Sequence, residues 1–169
     1  VEEANYLMMW NGNLKETTSS RESGLGVRVL YKNAWGFSAS SDMSNLSTLF
    51  DKAFDNARVA AERVTFPVRL AEKDAIQASF KSPNQIDPFG VSLANKIDFL
   101  KTMDEKLNQP GVVQRASEMM FVRKQIVFLD SEGSEIEKNI IEAFPAIQVM
   151  GVDSSGETHS RKFSPDRLG

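Results

Sequence analysis

The sequence contains no cysteine and only one histidine, His159, among its 169 residues. The absence of cysteine excludes disulfides, thiolate metal sites and cysteine nucleophiles. It also fits a reducing compartment, so we expect a cytoplasmic protein. A single imidazole cannot supply the histidine pairs of common zinc sites, and His159 lies in a polar stretch. We therefore interpret His159 as a solvated surface residue and expect no metal site in this chain.

The sequence also lacks long apolar runs and a strong charge of either sign. No apolar run approaches the roughly 20 residues that span a bilayer, and no signal peptide is visible. The net charge is −3 and the isoelectric point is about 5.3, so we expect neither nucleic acid nor a membrane as a direct partner. The chain starts at Val1 and stops at residues 167–169 without a closing element, from which we expect a fragment of a longer protein.

A strand–turn–strand pattern at residues 24–37 is the segment around which the rest of the chain is predicted to pack. Apolar side chains alternate with other residues from Leu25 to Tyr31, which is the period of a strand with one buried face. Asn33 is the predicted turn residue, because asparagine tolerates a positive φ. Gly36, between the aromatic residues Trp35 and Phe37, predicts close approach of another backbone or of a ligand.

Two helices are predicted from apolar stripes at helical spacing. The first follows a cap at Ser44, fades near Arg63 and is rich in alanine, which predicts close contact with a sheet. The second follows a cap at Ser92 and runs from Leu93 to about Asn108. Residues 64–91 between them are interpreted as irregular or partly helical.

The other segments are predicted to be strands. Residues 6–10 and the polar edge strand 13–23 flank an Asn11-Gly12 turn, and the C-terminal strands cover residues 112–120, 121–130, 134–144, 146–153 and 158–163. The predicted fold class is α+β, with antiparallel sheets, two main helices packed on them, and the order strands–helix–helix–strands. The length and the 41% hydrophobic content suit one domain, or two small lobes at about 1–66 and about 67–169.

Candidate functional residues are few, and no catalytic residue is predicted. Gly24 and Gly26 lack the helix that a phosphate-binding glycine loop requires, so a bend or bulge is the preferred interpretation. Arg28 points away from its apolar neighbours and suits either a carboxylate or peptide ligand, or plain exposure on a sheet. Trp35 and Phe37 are interpreted as core residues. The late carboxylates are interpreted as a solvated face: Glu132, Glu135, Glu137 and Glu142.

Three segments in the same order give a family resemblance. They are residues 24–30 with 34–37, 41–42 and the alanine-rich helix; Asp87-Pro88-Phe89 with the start of the second helix; and residues 128–137 around Ser131-Glu132-Gly133. Together they make the chain similar to the N-terminal region of the TldD/PmbA proteins, also described as candidate modulators of DNA gyrase.

The resemblance implies a zinc metallopeptidase of which this chain is the N-terminal domain. The family's His-Glu-x-x-x-His helix lies in a C-terminal domain and is absent here, so zinc is expected in that missing domain and no cofactor in this chain. The family acts on peptides as dimers that enclose a channel, which implies a homo- or heterodimer with a related subunit. Gly24, Gly26, Arg28, Trp35 and Gly36 are then family markers or substrate-channel residues.

A second hypothesis is a non-catalytic partner subunit or a regulatory interaction module of the gyrase-modulator kind. The polar strand at residues 13–23 favours it, because an edge strand can accept a strand from a partner.

Overall fold

Tight turns at residues with positive φ join the first four strands into two hairpins. The computed structural model describes residues 1–165. In the turn between β1 and β2, Asn11 and Gly12 have φ values of 46° and 78°. In the turn between β3 and β4, Lys32 and Asn33 have φ values of 43° and 68°, so Lys32 shares the positive φ that was predicted for Asn33. The elements are β1 Glu2–Trp10, β2 Asn13–Glu22, β3 Leu25–Tyr31, β4 Ala34–Ser40, α1 Leu46–Ala61, β5 Gln77–Lys81, α2 Leu93–Leu107, β6 Val112–Leu129, β7 Glu135–Val152 and β8 Thr158–Phe163.

The larger sheet has six strands in the order β2-β1-β6-β7-β5, with β8 also paired to β7. All pairings in it are antiparallel except that of β5 with β7. β6 and β7 form a hairpin of two strands of 18 residues each. β2 lies at the edge and all of its residues are exposed, as predicted for the polar strand.

α2 covers part of one face of this sheet. Leu100 packs there against Leu7 and Met9 of β1 and Met119 of β6, and these four side chains are 0–8% exposed. Burying a side chain of this size contributes roughly 1.5–3 kcal/mol. The Ser92 hydroxyl accepts a hydrogen bond from the Asn95 backbone N–H (3.2 Å) and caps α2 as predicted.

The second packing unit consists of the β3–β4 hairpin and α1. Val27 packs there with Leu49 and Ala53 of α1. Ala53 and Ala57 are completely buried, so α1 approaches the strands through its smallest side chains. The prediction of close contact between the alanine-rich helix and a sheet is confirmed.

The predicted fold class is confirmed at the level of α+β with antiparallel sheets, but the predicted element order is wrong. β5 lies between the two helices, in the stretch interpreted as irregular or helical, and pairs in parallel with β7. The predicted breaks within the long β6 and β7 strands do not occur, because each strand pairs with the other almost throughout.

The cap of α1 also differs from the prediction. Asn45 and not Ser44 caps this helix, since Asn45 Oδ1 accepts the hydrogen bond from the Thr48 N–H (3.2 Å). The division into lobes near residue 66 stays a prediction, and the six-stranded sheet draws strands from both sides of that position. Within residues 1–165, neither helix is long and apolar enough to cross a membrane.

Candidate functional site

The hairpin presents a cationic and aromatic surface. The Arg28 guanidinium carbon lies 4.2 Å from the centroid of the Trp35 ring, a distance at which the cation is attracted to the ring. Phe37 is paired directly with Arg28 across the strands. Trp35 and Phe37 are 41% and 59% exposed, so their predicted place in the core is wrong.

Gly36 explains why the two aromatic residues face outward. Strand side chains alternate between faces, so Gly36 lies on the face opposite Trp35 and Phe37, which is the face against α1. A Cβ atom on Gly36 would lie 2.0 Å from the Ala53 carbonyl oxygen and 2.4 Å from the Ala57 nitrogen. The close approach predicted at Gly36 is thus made by the backbone of α1. The aromatic residues take the other face, where no helix covers them.

Gly24 and Gly26 lie beside this surface, Gly24 just before β3 and Gly26 within it. Neither has a positive φ, and β3 begins at Leu25 with no helix following the glycines. A Cβ atom on Gly26 would lie 3.2 Å from Cε2 of the Phe37 ring. These residues line an open, mainly apolar depression of about 500 Å³ that ends at Ser41. The surface therefore offers Arg28 donors and apolar contacts to a ligand.

His159 is exposed, as predicted, and belongs to a small acidic turn. Its Nε2 lies 2.9 Å from Asp153 Oδ2, and ligand atoms of Asp153, Glu157 and His159 all lie within 4.8 Å of one another. Asp153 Oδ1 also accepts hydrogen bonds from the Ser155 hydroxyl and the Ser155 and Glu157 backbone N–H groups. These bonds, led by that from the Ser155 hydroxyl, lower the pKa of Asp153 well below its usual range.

This turn does not fit the zinc that the family resemblance implies. A catalytic zinc is held by three protein ligands and keeps one open position inside a shaped cavity. All three residues of the turn are exposed, and Asp153 Oδ1 already accepts three hydrogen bonds that close the turn. Among residues 1–165 we therefore assign no residue to a zinc ion.

The late carboxylates are largely a solvated face, as predicted, with one exception. Glu132, Glu135 and Glu137 are exposed, whereas Glu142 is 6% exposed and lies 3.8 Å from Lys124 Nζ. Its burial follows from its place in the middle of β7, which is paired with β6.

Asp130, at the Ser131-Glu132-Gly133 turn, is a structural carboxylate. It is hydrogen-bonded to Lys73 and accepts bonds from the Ser134 and Glu132 backbone N–H groups (both 3.0 Å). The Lys73 bond is the main reason that the pKa of Asp130 is lowered to about 2. The family-like turn is thus fixed by its own side chains.

Two buried charged residues of α2 are absent from the sequence-based candidates. Lys96 and Asp104 are 7% and 3% exposed. Each lies four residues from the buried Leu100, so helical spacing alone places them on the same face. The four-residue spacing could have predicted their burial. It was not used in that way because Lys and Asp are rarely fully buried.

Comparison with known proteins finds relatives in sequence. Residues 2–60 match the family described as PmbA/TldA metallopeptidase domain 1. The chain is 33% identical over 145 residues to a metalloprotease of Methanocaldococcus jannaschii, covering 82% of this chain and 31% of that protein.

Solved structures share the fold. A candidate modulator of a DNA gyrase from Thermotoga maritima superposes with a TM-score of 0.70 at 18% identity, over 96% of this chain and 36% of that one. TldE from Thermococcus kodakarensis gives a TM-score of 0.54 at 12% identity, over 96% and 39%. The chain spans about a third of the length of these proteins. The chain thus matches the PmbA/TldD family in sequence at residues 2–60 and is similar in fold, over 96% of its length, to these solved structures.

Proposed function

We propose that this chain is the N-terminal, non-catalytic domain of a PmbA/TldD-type zinc metallopeptidase and that it shapes the peptide channel. The observation that carries the proposal is the exposed Arg28–Trp35 pair, next to Phe37, within the part that matches the family's first domain. A guanidinium donates hydrogen bonds to peptide carbonyl or carboxylate oxygens, and the rings offer apolar contact. The surface can thus hold a peptide without cleaving it.

The donor set of the sequence supports a non-catalytic role for this domain. One histidine and no cysteine leave carboxylates as the main potential metal ligands, and the exposed Asp153–His159 turn does not fit a catalytic zinc. In the proposal, zinc and the catalytic residues belong to a further domain of the same protein. This domain contributes contacts to the substrate and to a related subunit.

Exposed apolar side chains support the proposed subunit contact. Val127, Phe128 and Leu129, at the end of β6, are 61%, 49% and 65% exposed. Exposed apolar side chains concentrated at one strand end, here on both faces of β6, are typical of a surface that another domain or subunit covers. We infer a homo- or heterodimer in the cytoplasm, with a peptide as substrate.

The test is Arg28→Ala in the full-length protein, assayed by hydrolysis of an unstructured peptide. We expect kcat/KM to fall about tenfold, which corresponds to one lost charge-assisted hydrogen bond. Arg58→Ala is the matched control, because Arg58 is exposed on α1 and paired with Asp55 at 3.2 Å. Equal turnover in the Arg28 and Arg58 variants would refute the channel role.

The second candidate is an interaction module, either a partner subunit or a gyrase regulator. The observation that favours it is β2, an edge strand of ten exposed residues with its outer edge open. Gyrase subunits retained on the immobilised chain would support this candidate, and their absence from the bound fraction would argue against the regulator version.

A further inference from the structure

A groove of about 950 Å³ lies beside α2, away from the Arg28–Trp35 surface. Its walls include Phe99 of α2 and Ile86 of the β5–α2 connection, which are 55% and 72% exposed. Its floor is formed by apolar side chains of the two long strands: Met119, Phe121, Ile141 and Ala143. The volume is at the upper end of the range of about 300–1,000 Å³ that is typical of ligand pockets.

Lys96 brings a buried positive charge to this groove. Its ammonium donates a hydrogen bond to Asn5 Oδ1 (2.9 Å) and lies 5.1 Å from the centroid of the Phe121 ring and 5.9 Å from that of Phe89. Among residues 1–165, Asn5 is its one hydrogen-bond partner, although an ammonium has three donors.

The charge of Lys96 is therefore incompletely compensated by the residues around it. Asp87 is the carboxylate whose charge acts on Lys96, but Asp87 is itself paired with Arg123 at 2.5 Å. Burial, as the larger effect, lowers the pKa of Lys96 below its usual value. A ligand carboxylate placed at this ammonium would replace the missing solvation, which makes the site complementary to an acidic group.

Carboxamide side chains give the groove partners for a peptide backbone. Asn84, Gln85 and Asn95 all line it, and within residues 1–165 their side chains make no hydrogen bond. A carboxamide both donates and accepts, which matches the alternating N–H and C=O groups of an extended chain.

The backbone of β7 changes its strand partner beside the groove. Among residues 1–165, the pairing of β7 with β5 ends at Asn139 and its pairing with β8 begins at Ile147. Ser82 Oγ accepts a hydrogen bond from the Ile141 N–H (2.8 Å) at the edge of β7 between these two pairings. Because strand residues alternate, Ala143 presents its backbone to the same edge, where an added strand would bind.

We propose that this groove binds an extended peptide segment in which an acidic side chain lies between apolar ones. The carboxylate contacts the Lys96 ammonium, the apolar side chains cover Met119, Phe121 and Phe99, and the peptide backbone bonds to the carboxamides and to β7. The inference rests on the proposed function only in taking a peptide as the ligand.

The test uses the 169-residue chain labelled with ¹⁵N and two acetylated, amidated peptides, Leu-Gly-Glu-Gly-Leu and its glutamine analogue, in which the leucines and the central side chain share one face of the extended chain. Titration should shift the amide signals of Asn84, Asn95 and Ala143, with the glutamate peptide bound about tenfold more tightly than the glutamine peptide. Equal affinity for both peptides, or no shift at these three amides, would overturn the proposal.

Variants separate the charge from the shape of the groove. Lys96→Met should abolish the preference for glutamate, whereas Lys101→Met, a matched change on the exposed side of α2, should keep it. If Lys96→Met does not fold, Phe99→Ser provides the test, since Phe99 is exposed and its loss should weaken both peptides. Unchanged binding of both peptides to Phe99→Ser would contradict the proposal that they bind in the groove.

Arg58→Ala, a change on the exposed face of α1, should bind both peptides like the parent chain. The groove and the proposed function therefore fail independently, because the groove is tested by binding to this chain and the channel role by turnover in the full-length protein.

Discussion

Two helix–strand contacts in this molecule are built from different side chains. In the hairpin unit, formed by β3, β4 and α1, the point of closest approach is between Gly36 and the helix residues Ala53 and Ala57. In the sheet unit, formed by α2 on β1 and β6, Lys96 and Asp104 are buried beside Leu100. The first contact is a close approach of two backbones, and the second holds longer side chains between helix and sheet.

The difference determines which surface each unit offers to a ligand. Close packing on one face of the hairpin leaves Trp35 and Phe37 on the other face, where they are 41% and 59% exposed. In the sheet unit, α2 covers β1 and β6 and leaves a groove above β7, with a buried ammonium at its side. Small residues thus produce an exposed platform, whereas long ones produce a cavity.

The largest effect is expected from breaking the charge pair of the sheet unit. Asp104 Oδ2 accepts a hydrogen bond from Arg115 Nε (2.8 Å), and Asp104 Oδ1 is buried without a partner among the described residues. Arg115→Met should lower the free energy of unfolding by about 3 kcal/mol, because it leaves a buried carboxylate unpaired. Urea denaturation measures this change in the free energy of unfolding.

The control for this prediction removes both charges. In Arg115→Met with Asp104→Leu, apolar side chains replace the whole pair, and most of the lost stability should return. A single variant as stable as the parent chain would show that the pair is not what holds α2 in place.

A somewhat smaller loss is expected from Gly36→Ala in the hairpin unit. The added Cβ would meet the α1 backbone at 2.0 Å, so the helix and the strands must separate, at a cost of about 2 kcal/mol. Gly24→Ala is the matched control. Its Cβ would lie 3.4 Å from the Ser40 carbonyl oxygen, and its effect should stay within about 0.5 kcal/mol. Similar urea midpoints for both variants would contradict the close contact described for α1.

A pH-dependent effect is expected at Asp130, at the far end of the β6–β7 hairpin. Its pKa is about 2 in the folded chain, below the ordinary value of 3.8, so the folded state binds fewer protons than the unfolded state. The stabilisation is complete above about pH 4 and is lost as the pH falls toward 2. Asp130→Asn should flatten the dependence of the urea midpoint on pH between 5 and 2.5, whereas an equal slope in both chains would count against it.

The smallest effect is expected on adding zinc. Within residues 1–165 the exposed Asp153–His159 turn is the one group of potential ligands and does not fit this ion, so the chain dialysed against zinc should hold far less than one equivalent by elemental analysis. His159→Ala is the control and should leave the zinc content unchanged. One tight zinc per chain that disappears in this variant would assign the Asp153–His159 turn a metal site after all.

Elements with strong local signals were predicted correctly. The Asn11-Gly12 turn, the Ser92 cap, the polar β2 strand and the alanine contact of α1 all follow from short-range chemistry. β5 was missed because it is only five residues long and fully exposed, and its pairing with β7 depends on a strand more than 50 residues away.

At the candidate site, the features that depend on local alternation were predicted and the others were not. Alternation placed Arg28 on the outer face, and the flanked glycine indicated a close approach at Gly36. The outward position of Trp35 and Phe37 was missed, because alternation gives two faces without saying which one a helix covers. Lys96 was missed because composition alone argues against a buried lysine.

The sequence by itself therefore determined the local structure, the family resemblance and the lack of paired histidines and thiolates, since each depends on residue type and spacing. The tertiary structure decided which face of the hairpin is covered, where β7 changes its partner from β5 to β8, and where the Lys96 charge lies. These features arise from contacts between segments far apart in the chain, and the free energy of such contacts depends on burial and partners that no local pattern records.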